Sequence, residues 1–444
     1  MTDNSKKSNN LFNFATSELS QDAFFCWSLN WLAVKEDTED PYYKYGKAML
    51  DLFLGDNKKD EYTDALIKKQ FVVEFKRDKN NNPIKTDTTS GEKVKGIIDI
   101  LVLFKNGNVP HALIIEDKTH TSEHSNQIAM YKNNLPATLK NSNDSEIEPY
   151  KDLSREKIYT AYVKTGIMYT DDKYKDIKSI VVVDINNLYD VISKHVGLCK
   201  SDIIFDYYEY IKKEIKYRKG VEDSIKNGEF ESIISDSYAQ LYFLNCLFGE
   251  PEQQYIGNSH ITDPNNKKVY INYICTGTSG RSRWTQFCFW GEQFPNPILD
   301  SNVNEFHYLF WRIDCDNHKI PGRKSGKCIT LKYYDENENI NKKSKNSDEP
   351  SQEKREKLQS RNRRIYKALI KHTNQLQLDY PNLIFVPKEY NDDNDDVKEK
   401  LLLLIPLAEL QKLDLKQRKK DMNDIQSSLI NFCKENIENN ESLK

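Results

Sequence analysis

The stretch GIIDILVLFKNGNVPHALIIEDK, residues 96 to 118, constrains the fold more than any other part of the chain. Two runs of large apolar and β-branched residues flank KNGN, a turn sequence that joins strands lying side by side in opposite directions. Strands over 97–104 and 112–118 are therefore expected to be antiparallel neighbours. Leu113, Ile114 and Ile115 demand burial, yet the same strand ends on Glu116, Asp117 and Lys118. Side chains alternate along a strand, so Glu116 and Lys118 emerge on one face, and Asp99 approaches from the middle of the neighbouring strand. Two carboxylates and an amine can then converge. A pair of hard oxygen ligands suits Mg²⁺. A lysine beside such ligands can orient or deprotonate a metal-bound water, provided neighbouring positive charge or burial lowers its proton affinity. That is the chemistry of phosphodiester hydrolysis. The bland alternative is a solvated strand end where Glu116 and Lys118 merely pair, since an acid-x-Lys triplet recurs by chance in a chain with 68 acidic and 65 basic residues.

The flanking sequence gives this strand pair a setting. TSELSQDAFFCWSLNWL has apolar residues near helical spacing, with Thr16, Ser17 or Ser20 able to cap it, and it carries a third carboxylate, Glu18, near its start. FVVEF reads as a strand, separated from the next by a polar, turn-rich loop over 78–91. A helix is expected from about Ser122 to Leu135, stopped by Pro136, with Gln127 and Tyr131 four apart on one face. IYTAYVKTG and SIVVVDI add two β-like runs and close a mixed α/β unit near residue 195.

Beyond it, residues 202–249 read as two aromatic-rich helices. The runs KVYINYIC, RWTQFCFW, HYLFWRID and CITLKYY alternate apolar and polar residues around turns such as GTSG, which argues for an antiparallel sheet. A polar, mobile loop is expected over 335–360, then a basic helix (EKREKLQSRNRRIYKALIKH), a short strand (LIFVP) and one or two terminal helices. The expected organisation is a first domain over 1–200, a helical connector over 201–249 and a C-terminal α+β domain with an antiparallel sheet over 250–444.

Composition narrows the function classes. The net charge is only −3 although 30% of residues are charged, so any nucleic-acid surface must be local. Eight cysteines are scattered with no CxxC pair, which suits reduced thiols rather than a zinc or redox site. The polar N-terminus MTDNSKKSNN and the shortness of the apolar run LLLLIPLA point to a soluble, cytoplasmic protein without a membrane segment.

The order Glu18 on the opening helix, Asp99 in GIIDILV, Glu116-Asp117-Lys118 in IIEDK and Gln127 to Tyr131 in QIAMY resembles the PD-(D/E)XK nuclease superfamily. The likeness is to the branch with a QxxxY helix motif that includes lambda exonuclease and the RecB-type nuclease domains, and ATSELSQDAF also looks like uncharacterised bacterial members. It covers residues 10 to about 195. The resemblance implies a restriction-endonuclease-like mixed sheet with flanking helices, and a Mg²⁺-dependent nuclease (Mn²⁺ substituting) that leaves 5′-phosphate and 3′-hydroxyl ends, in DNA processing or antiphage defence. It implies that Asp99, Glu116 and the backbone carbonyl of Asp117 bind the ion and that Lys118 positions or activates the attacking water. Glu18 would complete or orient the metal shell, while Gln127 and Tyr131 steady substrate and site. Two positions depart from the pattern: Ile98 stands where the family has proline, and Asp117 where an apolar residue is frequent. Since Asp117 should point to the opposite sheet face, it needs a partner there.

Other residues carry weaker signals. Glu74 is read mainly as an exposed strand acid, and His120 and His124 mainly as helix-start polar residues. Arg281, Arg283 and Trp284 in GTSGRSRW, with Arg312 on a later strand, suit phosphate contact and base stacking, or equally ordinary packing. The C-terminal domain would then recognise DNA, a protein partner or an activating ligand. An RNA substrate remains open, as does a noncatalytic nucleic-acid-binding or structural role on a nuclease-derived fold.

Overall fold

The computed structural model describes residues 10–14, 18–77, 83–84, 92–119, 127–167, 180–229, 237–249, 253–256, 273–279, 282–295, 304–314, 318–320, 325–335, 352–387 and 399–438. The chain divides into two compact units, residues 1–217 and 218–444. Both are mixtures of helix and sheet.

The first unit opens with α1 (Glu18–Val34) and α2 (Pro41–Leu54). Asp40 caps α2 by accepting the Tyr42 amide at 2.8 Å, and Pro41 occupies the first helical turn, where no amide donor is needed. Four strands follow: β1 (Thr63–Arg77), the two-residue β2 (Pro83–Ile84), β3 (Glu92–Asn106) and β4 (Val109–Lys118). Then come α3 (Gln127–Lys140), β5 (Ile158–Lys164), β6 (Ile180–Asp184), α4 (Ile185–Cys199) and α5 (Asp202–Asn227).

The six strands make one mixed sheet in the order β2-β1-β3-β4-β5-β6. β1, β3 and β4 are antiparallel neighbours, whereas β4, β5 and β6 run parallel. The KNGN hairpin forms where expected, pairing Asn106 with Val109, with Gly107 at φ +60, a conformation that costs glycine nothing. One face of the sheet buries Val102, Leu113, Ile115 and Val163 against Phe25 and Leu29 of α1, Met49 and Phe53 of α2, Leu188 of α4 and Tyr207 of α5. The other face buries Leu101, Leu103 and Ile114 against Tyr131, Leu135 and Leu139 of α3. Both faces being covered explains why β4 is buried without a break from His111 to Asp117.

α3 differs from expectation. It does not stop at Pro136 but carries it inside and continues to Lys140. The ring removes one helical hydrogen bond, but Leu135 and Leu139 are fully buried on either side of it, and their packing outweighs the lost bond.

The second unit contains α6 (Ser237–Phe248) and strands β7 (Gln253–Ile256), β8 (Tyr273–Ser279), β9 (Ser282–Pro295), β10 (Asn304–Asp314) and β11 (Cys328–Asp335). α7 (Gln352–Asp379), β12 (Glu399–Pro406), α8 (Leu407–Gln411) and α9 (Leu415–Cys433) complete it. Its sheet runs β12-β11-β10-β9-β8-β7 and is antiparallel except at its edge, where β7 lies parallel to β8. Phe248 of α6 stacks on Phe287 and Trp311, and the Trp311 indole donates to Gln426 of α9 at 3.1 Å.

Two readings of this region need correction. Residues 353–360 fall both in the expected loop and in the expected basic helix; they are helical and open α7, while 336–351 lie outside the described residues. LIFVP makes only an isolated bridge, Phe385 to Leu404, and the strand is instead the LLLLIP run of β12, whose length had suggested only an apolar stretch. Among the described residues no helix is long and apolar enough to cross a membrane.

Candidate active site

The pairing of β3 with β4 ends at Ile100 and Ile115, and beyond that point β3 stays with β1 alone as far as Arg77 and Glu92. The sheet forks there. At the fork the Asp99 carboxylate replaces a ladder carbonyl: its Oδ2 accepts the backbone amide of Asp117 at 3.0 Å. The same oxygen lies 3.2 Å from Lys118 Nζ, which also lies 2.8 Å from Glu116 Oε1 and donates to the Asp117 carbonyl at 3.1 Å. Three oxygens from two strands thus surround one cation. They are the two carboxylates and the carbonyl that the spacing and the family resemblance had singled out.

Burial opposes charge on Lys118, but Glu116 and Asp99 outweigh it, and the amine is held above its ordinary range. It is an ammonium here. In this arrangement it is a donor rather than a proton acceptor, and only a competing positive charge on the two carboxylates would lower its proton affinity. Glu116 is 2% exposed.

Glu18 reaches the same strand end from the first turn of α1, where its Oε1 accepts the Thr119 amide at 2.9 Å. Gln127 opens α3 one turn before Tyr131. Tyr131 is buried under the fork, hydrogen-bonded to the Ile97 backbone, and burial, with Glu116 adding to it, pushes its phenol up to about 12. It serves as a neutral hydroxyl.

Asp117 points to the opposite face and finds its partners on α1. Its Oδ1 accepts Gln21 Nε2 at 2.6 Å, and the buried Asp22 carboxyl lies close by. Gln21 is the hub of this buried network, since its Oε1 accepts Thr165 Oγ1 at 2.9 Å and the Tyr207 hydroxyl at 3.1 Å. Burial raises both carboxyls, Asp117 well above the usual range and Asp22 to about 6, with Asp22 and Asp99 respectively adding like charge. The pair therefore retains a proton. Sequence reasoning missed Gln21, Asp22, Thr165 and Tyr207. The one available signal was Asp22 standing four residues after Glu18 in a helix with no other charged residue.

The remaining residues fall elsewhere. Glu74 faces Lys95 across the β1–β3 ladder at 3.7 Å, an exposed pair. His120, His124 and Arg281 lie outside the described residues, as does the side chain of Arg283. Trp284 lies under the Arg312 guanidinium, 4.7 Å from its ring centre, and Arg312 makes a two-pronged ion pair with Glu399 at 2.5 and 2.7 Å. That arginine is committed to packing within the second unit. Among the described residues no three His, Cys, Asp or Glu side chains stand close enough to form a metal cage, so an ion here would rest on two carboxylates, a carbonyl and water. Comparison of the chain with protein-family models, with curated proteins and with solved structures found no match.

Proposed function

We propose that the first unit is a Mg²⁺-dependent nuclease acting on DNA. The observation that carries this reading is the convergence of Asp99 Oδ2, Glu116 Oε1 and the Asp117 carbonyl on a single cation, 2.8 to 3.2 Å from each. The set is made of hard oxygens, two of them anionic, and it already tolerates positive charge at low exposure. Such a donor set fits Mg²⁺ with several retained waters. A bound Mg²⁺ would supply Lewis acidity at the scissile phosphate and a water of lowered proton affinity.

The chain's own groups then have distinct tasks. Asp99 and Glu116 hold the ion, and Asp99 also fixes the fork by accepting the Asp117 amide. Lys118, turned from the carboxylates, donates to the phosphate or to the attacking oxygen. Glu18 anchors the end of β4 through Thr119, and the Tyr131 hydroxyl keeps β3 in place through Ile97.

One feature favours a competing reading, in which the cluster is a self-contained ion network: Lys118 alone already neutralises part of its charge. Incubation of the purified chain with linear, circular and single-stranded DNA and with RNA, each with Mg²⁺, Mn²⁺ or EDTA, separates the two. Metal-dependent cleavage to 5′-phosphate ends, lost in Asp99→Ala and Glu116→Gln, is the expected result. No cleavage of any substrate with either metal would overturn the nuclease reading, and cleavage of RNA alone would move it to the other nucleic acid.

A further inference from the structure

The two-stranded ribbon that leaves the sheet at Asp99 has two unlike faces. Val73, Phe75 and Ile98 are buried with Tyr131 of α3, so the alternating residues Val72 and Ile97 turn the other way. They are cross-strand partners, 42% and 51% exposed. Leu19, beside Glu18 on α1, is 52% exposed, and its carbonyl accepts Lys69 of β1 at 2.8 Å. Apolar side chains therefore stand in water on both sides of a lysine, within two residues of Asp99 and Glu18.

Between them lies a strained residue. Gln70 has φ +52 in the middle of β1 and is exposed. The pairs Lys69 with Ile100 and Phe71 with Ile98 place it directly across from Asp99. A left-handed conformation at a residue with a Cβ costs about 1 kcal/mol or more, and glycine would adopt it freely. Being exposed, Gln70 recovers none of that cost from packing.

We propose that this ribbon face, Val72 and Ile97 with Leu19, Lys69 and Gln70, is where a nucleic-acid strand lies as it leads into the carboxylate–lysine site. The proposal rests on the nuclease reading of that site and adds the surface that presents the substrate. The chemistry matches a polynucleotide: apolar side chains for sugar and base faces, an ammonium for phosphate, and an amide held opposite Asp99 for a phosphate or base edge. Glu116 and Lys118 lie on the α3 side of the sheet and this ribbon face on the α1 side, so a strand whose scissile phosphate sits at Asp99, Glu116 and Lys118 reaches them through the fork, past Gln70 and Asp99.

The test is binding without chemistry. Fluorescence anisotropy of labelled single-stranded and duplex DNA, in EDTA, compares the full-length protein with Val72→Ser/Ile97→Ser and with Gln70→Gly. The double variant changes only exposed side chains and is expected to melt as the parent does while binding about tenfold more weakly. Gln70→Gly is expected to raise the melting temperature, because it relieves the backbone, and still weaken binding several-fold. A merely structural role for Gln70 would not separate those two readouts. With Mg²⁺, the loss in the Val72→Ser/Ile97→Ser variant should appear in KM. Unchanged affinity in both variants, or no oligonucleotide binding by the parent, overturns the proposal; it would point to a protein occupant of this face. Because binding is read in EDTA, failure of the parent to cleave any substrate would overturn the nuclease reading alone.

Discussion

Asp22 on α1 and Asp117 on the strand end that carries Glu116 and Lys118 are close enough for each carboxyl to bias the ionisation of the other, and Asp22 Oδ1 and Asp117 Oδ2 are buried without a hydrogen-bond partner among the described residues. Both are almost fully buried, at 2% and 1% exposure. Two carboxylates cannot both be ionised there without a counter-charge, so the pair retains a proton and acts as a clasp between the helix and β4.

The clasp predicts a pH-dependent stability. An acid whose pKa is raised on folding contributes stability that is fully present below its unfolded pKa and lost as pH rises through the folded one. For Asp22 that window runs from the ordinary 3.8 to about 6. Asp22→Asn keeps a hydrogen-bonding side chain and removes the titration. Relative to the parent it should be least favourable near pH 4 and gain on the order of 2 kcal/mol by pH 7. Urea denaturation of both proteins across this range checks it, and a constant difference would mean that no proton is shared.

Lys118 predicts a metal effect that needs no activity. Its ammonium stands among the three oxygens that an ion would use. Lys118→Met keeps most of the buried stem but leaves Glu116 and Asp99 without a cation, which should destabilise the first unit by roughly 3 kcal/mol in EDTA. Mg²⁺ or Mn²⁺ should restore much of that loss and raise the melting temperature more in the variant than in the parent. Thermal melts with EDTA and with each metal provide the comparison. Equal metal shifts in both proteins would place the ion elsewhere.

The local signals in the sequence were strongest where one strand and one turn decide the outcome. KNGN set the β3–β4 hairpin, and alternation put Glu116 and Lys118 on one face, which is how the central cluster could be read. Asp117 was legible as pointing away, and its need for a partner was plain. The partner was not, because Gln21 and Asp22 meet it from 96 and 95 residues away, and a distant packing contact leaves no periodicity in sequence. The first half of β1, TDALIKKQ, was hidden for a different reason: it is polar and only partly buried, lying at the outer side of the sheet. Pro136 misled because tertiary packing outweighs a local helix breaker. The strain at Gln70 is invisible in sequence altogether, since nothing in the residue type announces a left-handed conformation.

His111 predicts the opposite pH behaviour from Asp22. Its ring lies between Phe104 and Tyr159, nearly parallel to both, and its Nδ1 meets the Tyr159 hydroxyl at 3.3 Å. Burial lowers its pKa from 6.5 to about 4, with Lys157 and Lys59 adding to the shift. A group with a depressed folded pKa that folds neutral contributes stability present above its unfolded pKa, and loses it as pH falls from 6.5 towards 4. His111→Phe preserves the stack and removes that loss. The parent's melting temperature should therefore fall faster than the variant's below pH 6, measured by circular dichroism. Parallel curves would show that His111 does not titrate differently on folding.

The ribbon and α3 are held together at Gly96, where a Cβ would lie 2.6 Å from Tyr131 Cε1 and 3.0 Å from Phe75 Cε1. Both rings are buried, and the Tyr131 hydroxyl is tied to the Ile97 backbone, so neither can swing aside cheaply. Gly96→Ala should therefore cost about 1–3 kcal/mol, an overpacking penalty. Tyr131→Leu alone should cost a similar amount by leaving space and losing the hydroxyl. In the double variant the alanine methyl occupies part of that space, so the two losses should not add: the combined cost should fall short of their sum by roughly 1 kcal/mol. Urea unfolding of the four proteins measures that coupling. Strict additivity would mean that Tyr131 does not set the distance between ribbon and helix, and that the position of β3 beside Asp99 depends on other contacts.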